Sequence, residues 1–273
     1  MSEIAGLSVA EHTINGNPKD KSCLLEVIGR YLDTCEVDRS QPVLVVGGGR
    51  EDLEILTACG FEQIVLSHLD AAGLALDAED MALPDNSYPV VFGHAILHHC
   101  RSPHKAVGEM VRVSQQHVFF VEPNDSAALR LLVRAGFSFP YELAAVASQD
   151  YLHGGLRDGP TPNYIYRWTG REVTKCVAAY QPERQFAVRP HPFWDFYVNE
   201  YELLSRKESH VARLAQRLGP GNFIRLLRIG QAILNLIPPL RAQGNKFFCM
   251  ISKKELQPWI EMREGSHYLR KET

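Results

Sequence analysis

Three consecutive glycines, Gly47-Gly48-Gly49, followed by Glu51, Asp52 and Glu54, form the densest chemical signal in this chain. Glycine there permits unusual backbone angles and close approach of a ligand to the main chain. A glycine turn opening a helix often holds phosphate on the helix amides, but acids in the first turn repel a pyrophosphate. No Gly-Lys-Ser/Thr follows, which excludes a P-loop. A ligand that joins an adenosine to a positive centre fits better, because carboxylates attract the sulfonium and ammonium groups of S-adenosylmethionine. In adenosine sites an acid about 20 residues beyond the glycines holds the ribose hydroxyls. Counting from Gly47 reaches His68, with Leu69 and Asp70 behind it. Imidazole can accept from or donate to a hydroxyl, and Asp70 shares the strand face of His68 if the strand runs that far.

A second group is made of histidines: His94, His98, His99 and His104. Histidines at i and i+4 share a helical face and invite a metal, but zinc wants three or four ligands completed by Cys or carboxylate. No such completion is evident, so no metal is expected. Imidazole titrates near neutrality, which makes His98 or His99 a candidate general base. Glu122 ends an apolar run and faces the same crevice as His94; it either orients a substrate or caps a helix over Ser126–Arg134. The glycine- and proline-rich stretch 149–166 carries Tyr151, His153 and Tyr164. A loop of that length is expected to act as a lid bringing one of them to the substrate, the alternative being a plain surface loop.

These residues need elements to position them. Val43 to Val46 form a buried parallel strand, and Leu53, Ile55 and Leu56 the apolar side of the helix after the glycines. Leu24, Leu25, Val27, Ile28, Tyr31 and Leu32 predict a helix before that strand. Strands are expected over 63–67, up to Asp77, over 90–94 and over 116–121. A helix should span Pro103–Val113 with Ser102 as N-cap, and further helices should lie near 126–134 and 141–146 and begin after Thr169. Residues 185–198 contain Pro190 and Pro192 and suit an edge strand with a kink. A charged amphipathic helix over 200–218 and an apolar stripe from Phe223 to Ile237 follow, the stripe being expected to pack in the core or line a pocket rather than meet a membrane or partner. Residues 246–252 supply the last strand before a polar tail.

Bulk properties suit a compact enzyme. The 273 residues, 45% hydrophobic, can bury a real core, and a net charge of -3 gives no electrostatic reason for nucleic acid. The six cysteines form no CxxC pair, as in a reduced intracellular protein, here expected to be cytoplasmic. No leader and no run of about 18 apolar residues is present, so neither secretion nor a membrane span is expected.

Asp77-Ala78-Glu79, Leu83-Pro84-Asp85-Asn86-Ser87-Tyr88, the apolar strand after it, Leu97-His98-His99 and Glu109-Met110-Val111-Arg112-Val113 together resemble the methyltransferase-11 type of class I S-adenosylmethionine-dependent methyltransferase. With the first strand and turn, the resemblance covers roughly residues 40–125. It implies a Rossmann-like α/β fold: a seven-stranded mixed sheet flanked by helices, with a C-terminal helical cap insertion at 200–242. The domain would run from 23 to 253, between a flexible segment 1–22 and a polar tail 254–273. S-adenosyl-L-methionine would be the cofactor. Gly47, Gly48 and Gly49 would lie against its methionine part with Glu51 beside them; His68 and Leu69 would stand at the ribose. Asp77, Ala78 and Glu79 would meet the adenine, and His94 would lie beside the cofactor. Val45 departs from the acid common in the first strand, and Pro89 from the Asp common after the aromatic.

The resulting expectation is methyl transfer to an O or N of a small molecule, for instance in secondary metabolism, with His99, His153 or Tyr151 as base. The expected partners are that small-molecule acceptor and, as an assembly to test, a second copy in a homodimer. Two rivals stand beside it: a non-catalytic cofactor-binding partner subunit, and an isomerase or cyclase on the same fold.

Overall fold

The computed structural model describes residues 22–67, 74–138, 140–142, 164–196, 210–263 and 265–270. His68, Leu69, Asp70, Tyr151 and His153, with the lid up to residue 163 and the segments 1–21 and 197–209, lie outside the described residues.

A central six-stranded sheet has the order β2-β1-β3-β4-β6-β5, from β1 (Val43–Val46), β2 (Ile64–Leu66), β3 (Tyr88–His94), β4 (Ser114–Pro123), β5 (Arg184–Phe193) and β6 (Lys246–Leu256). β1 pairs in parallel with β2 and β3, and β3 with β4; β6 runs antiparallel between β4 and β5. The first four strands and β5 therefore all end on one rim. There the glycine turn, His94, Glu122 and the residues after Phe193 collect.

Strand alternation divides the core between two faces. Leu44, Val46, Val91, Val118, Phe120 and Cys249 pack on one side with α3 (Pro103–Val113) and α5 (Gly170–Tyr180). Val43, Val45, Phe92, Phe119, Phe248 and Met250 pack on the other with α1 (Ser22–Thr34) and α2 (Arg50–Ala58). All four residues of β1 are buried, as a strand covered on both faces requires. α3 spans the expected residues with Pro103 in its first turn, yet the Ser102 side chain makes no cap bond. Fully burying Val107, Met110 and Val111 contributes roughly 2 kcal/mol each, which outweighs a missing cap of about 1 kcal/mol. α4 (Ala127–Arg134) is capped by Ser126, whose hydroxyl accepts from the Leu129 N–H at 3.1 Å. Thr169 caps α5 in the same way, accepting from the Glu172 N–H at 3.2 Å.

Three expectations are corrected. Among the described residues, the seventh strand expected to end near Asp77 is represented by one parallel bridge between Ser67 and Leu74. Asp77 Oδ1 accepts the Glu79 N–H at 2.8 Å, and this local turn competes with extension in a stretch poor in β-branched residues. The polar tail from 254 instead holds the end of β6 and an antiparallel hairpin of β7 (Ile260–Arg263) and β8 (Ser266–Leu269). Finally, the apolar stripe after Phe223 is largely exposed. Within the insertion, α6 (His210–Leu218), α7 (Pro220–Leu236) and α8 (Pro238–Arg241) bury Ala215 and Phe223 against each other, while Leu226, Ile229, Ile233 and Leu236 are 50–79% exposed.

β5 is an edge strand, as its prolines require. Just beyond it, α7 is fastened by polar bonds: Asn235 Oδ1 accepts from the Trp194 N–H and its Nδ2 donates to the Trp194 carbonyl, both at 2.8 Å. Trp194 Nε1 donates to the Leu240 carbonyl at 2.8 Å. Among the described residues no helix is long and apolar enough to cross a membrane.

Candidate active site

The glycine turn joins β1 to α2 on the rim. Gly47 has φ +64°, and a Cβ there would lie 2.4 Å from Ile96 Cδ1. A Cβ on Gly48 would lie 2.4 Å from Val45 Cγ1. Both glycines are thus explained by the turn's own packing. Gly49 differs: nothing lies within 4 Å of an added Cβ, so its backbone faces open space.

Asp52 organises this corner. One carboxylate oxygen accepts the Gly49 N–H at 2.8 Å, closing the start of α2, and the other faces His94 Nδ1 at 3.0 Å. Asp52 is buried, whereas Glu51 is exposed on the same turn. A third charged group stands near: burial raises the Asp195 carboxyl above its ordinary range, partly offset by Lys246 and His94. Asn245 holds the Asp195 backbone at both ends, through the N–H at 2.8 Å and the carbonyl at 2.9 Å. Sequence reasoning named Asp52 only as a first-turn acid and missed Asp195; no spacing marks an acid just beyond an edge strand as part of this rim.

The histidines do not gather into one cluster. His94 belongs to Asp52, and His104 Nε2 pairs with Glu172 Oε1 at 2.9 Å on the far side of α3. His98 and His99 form the 3-10 turn Leu97–His99 directly after β3. Glu122, at the end of β4, is 1% exposed and accepts the Leu97 N–H and His98 Nδ1, each at 2.7 Å. It caps no helix. His98 Nε2 meets Glu142 Oε1 at 3.2 Å, and His99 Nε2 lies 3.5 Å from Glu142 Oε2. Burial alone would push the His98 imidazolium pKa down, but the hydrogen bonds and charges of Glu122 and Glu142 outweigh it and raise the pKa to about 9. His98 in turn lowers the pKa of Glu142. The result is a buried histidinium donating to two carboxylates, with His99 beside the outer one.

His98, His99 and Glu142 place one ligand atom each within 4.8 Å of one another, a spacing a metal ion could use. A cation there would have to displace the proton that His98 Nε2 shares with Glu142, and the charged cluster already satisfies itself.

At the expected adenine end, Asp77 is exposed and engaged with the Glu79 amide. Glu79 Oε1 accepts the Ser102 N–H and ties this loop to the start of α3. Glu109 and Arg112 brace the neighbouring loop: Glu109 Oε2 accepts the Met81 N–H at 2.8 Å, and Arg112 donates to the Met81 and Leu83 carbonyls, each at 2.8 Å. The resemblance quoted these two residues as motif; their role here is to hold the 77–83 loop against α3.

A family description, methyltransferase domain, matches residues 53–121, the span from α2 to the end of β4 that carries His94, His98 and His99. Over those residues the chain is similar to that methyltransferase domain family. A match to such a domain points to methyl transfer with S-adenosylmethionine as the cofactor. Comparison with curated proteins finds no match. Among solved structures, an S-adenosylmethionine-dependent methyltransferase from Archaeoglobus fulgidus is 14% identical, with 84% of this chain and 94% of that one covered and a TM-score of 0.43. A magnesium protoporphyrin IX methyltransferase from Synechocystis, solved with bound S-adenosylhomocysteine, is 13% identical, with 66% and 82% covered and a TM-score of 0.43. Gly49 is exposed on the rim, linked through the Asp52 carboxylate to His94.

Proposed function

We propose that this methyltransferase acts on an O or N atom of a small-molecule acceptor, and that His99 takes the proton which the acceptor gives up. The observation that carries the reading is the relay Glu122–His98–Glu142–His99 at the end of β3 and β4. His98, held as a cation, is a poor base. It serves instead to fix the Glu142 carboxylate, which orients His99 and offsets the charge His99 gains on protonation. Asp52 and His94 would line the methionine end beside Gly47, Gly48, Gly49 and Glu51. Asp77, Ala78 and Glu79 would frame the adenine end, and His68 and Leu69 the ribose. Tyr151 and His153 remain further base candidates on the proposed lid. The cofactor supplies a methyl group on a cationic leaving group, so alignment by the chain contributes most of the acceleration, up to about 7–11 kcal/mol in well-oriented systems.

The domain would extend over 23–253 with 200–242 inserted before its last large strand, and the six free cysteines fit a reducing, cytoplasmic setting. The test is S-adenosylhomocysteine release with a panel of phenols, carboxylic acids and amines. For any acceptor found, His99→Gln should lower kcat by about 100-fold or more while cofactor affinity by calorimetry stays unchanged. An unaltered kcat removes His99 from the mechanism. No release with any acceptor class, despite tight cofactor binding, favours the non-catalytic partner subunit.

A further inference from the structure

Residues 210–245 contain five arginines, 213, 217, 225, 228 and 241, and neither Asp nor Glu, in a chain whose net charge is -3. The same segment carries eight of the exposed large aliphatic side chains: Leu214, Leu218, Leu226, Ile229, Ile233, Leu236, Ile237 and Leu240 are 41–79% exposed. Their arrangement is ordered. At about 100° per residue, Leu226, Ile229, Ile233 and Leu236 fall within an arc of about 80° on α7. Phe223 and Leu227 lie on a different side, turned toward α6, and Asn235 and Gln231 turn toward the β5 end, where Gln231 Oε1 accepts the Phe196 N–H at 2.6 Å. Arg225 and Arg228 follow along one margin of the exposed stripe.

We propose that this face docks on an anionic lipid surface, with α7 lying in the plane of the headgroups and its aliphatic stripe turned into the acyl boundary. An apolar ribbon edged by arginines and free of acids is what such a surface attracts, through buried apolar area and opposite charge together. α7 has 17 residues, and no described helix can cross a membrane, so the helix lies on the bilayer. The alternative occupant, a second copy of the chain, fits less well. A two-fold interface would bring the same acid-free, arginine-bearing face against itself, and like charges would oppose each other. The bonds from Trp194 to Asn235 and Leu240 place this face next to the β5 end of the rim.

The experiment is flotation of the full chain with vesicles of phosphatidylcholine alone and of phosphatidylcholine mixed with phosphatidylglycerol, beside sedimentation velocity without lipid. The protein should float with the mixed vesicles, partition at least about tenfold less onto the neutral ones, and be released by salt. The double variant Ile233→Glu/Leu236→Glu should lose flotation. Arg217→Gln/Arg225→Gln should weaken it about tenfold or more. Both variants change exposed positions away from the glycine turn, so each should keep the thermal stabilisation given by S-adenosylmethionine. That stabilisation separates loss of docking from loss of fold. Failure of the wild type to float, or equal flotation of the glutamate variant, overturns the proposal. So does a dimer that the glutamate variant dissolves in the absence of vesicle binding, which would assign the face to a second copy.

Discussion

At the scale of single residues, Glu122 decides most. It is fully buried, holds the 3-10 turn through the Leu97 amide, and stabilises a cationic His98. Because His98 binds its proton more tightly folded than unfolded, with the pKa raised from 6.5 to about 9, its contribution is complete below pH 6.5 and is lost as the pH climbs through about 9. Glu122→Gln should therefore destabilise the protein by about 3 kcal/mol at mildly acidic pH, as expected for one partner removed from a buried pair. The gap to wild type should narrow toward pH 9. Denaturant midpoints of both proteins across that window check it; a pH-independent gap would show that His98 is not charged in the native state.

At the scale of elements, the glycine turn separates packed from open positions within three residues. Gly47→Ala forces a left-handed residue with a Cβ into Ile96, and should cost about 2 kcal/mol of stability without ligand. Gly49→Ala has an ordinary backbone, φ -128°, and open space for the methyl. It should leave the unliganded melting temperature within about 1 °C of wild type and remove the shift produced by S-adenosylmethionine. Thermal melts with and without cofactor distinguish the two; equal losses would mean that Gly49 is structural as well. The sequence already exposed this element, because an all-apolar strand, three glycines and an apolar helix face leave little choice of local structure. It could not show which glycine faces open space, since that depends on Ile96 and Val45 meeting the other two. Helices α3 and α5 were equally legible from Pro103 and Thr169. The strand expected at Asp77 was not, because a side chain to backbone bond two residues long decides it. Likewise the stripe on α7 has the periodicity of a core helix, and only the placement of α6 and the sheet shows which side is covered. Glu142, at the heart of the proposed relay, carries no local signal: it reaches His98 across 44 residues of chain.

At the scale of the molecule, two buried histidines pull stability in opposite directions. The Tyr31 hydroxyl and His191 Nδ1 share a hydrogen bond at 3.1 Å. Burial, with Arg241 and Arg30 nearby, lowers the His191 pKa from 6.5 to about 4. That contribution is present above pH 6.5 and disappears as the pH falls toward 4, while the His98 contribution disappears above 6.5. A stability maximum near pH 6.5 should result, read as the highest urea midpoint in a pH series. His191→Phe should flatten the acidic limb alone, and an unchanged acidic limb would place the acid sensitivity elsewhere.

The two prolines of β5 have a consequence for handling the protein. Pro190 and Pro192 remove two amide donors from the outermost strand, so that margin is a poorer template for a foreign segment. Concentrated samples should then show no gain of cross-β signal by dye binding.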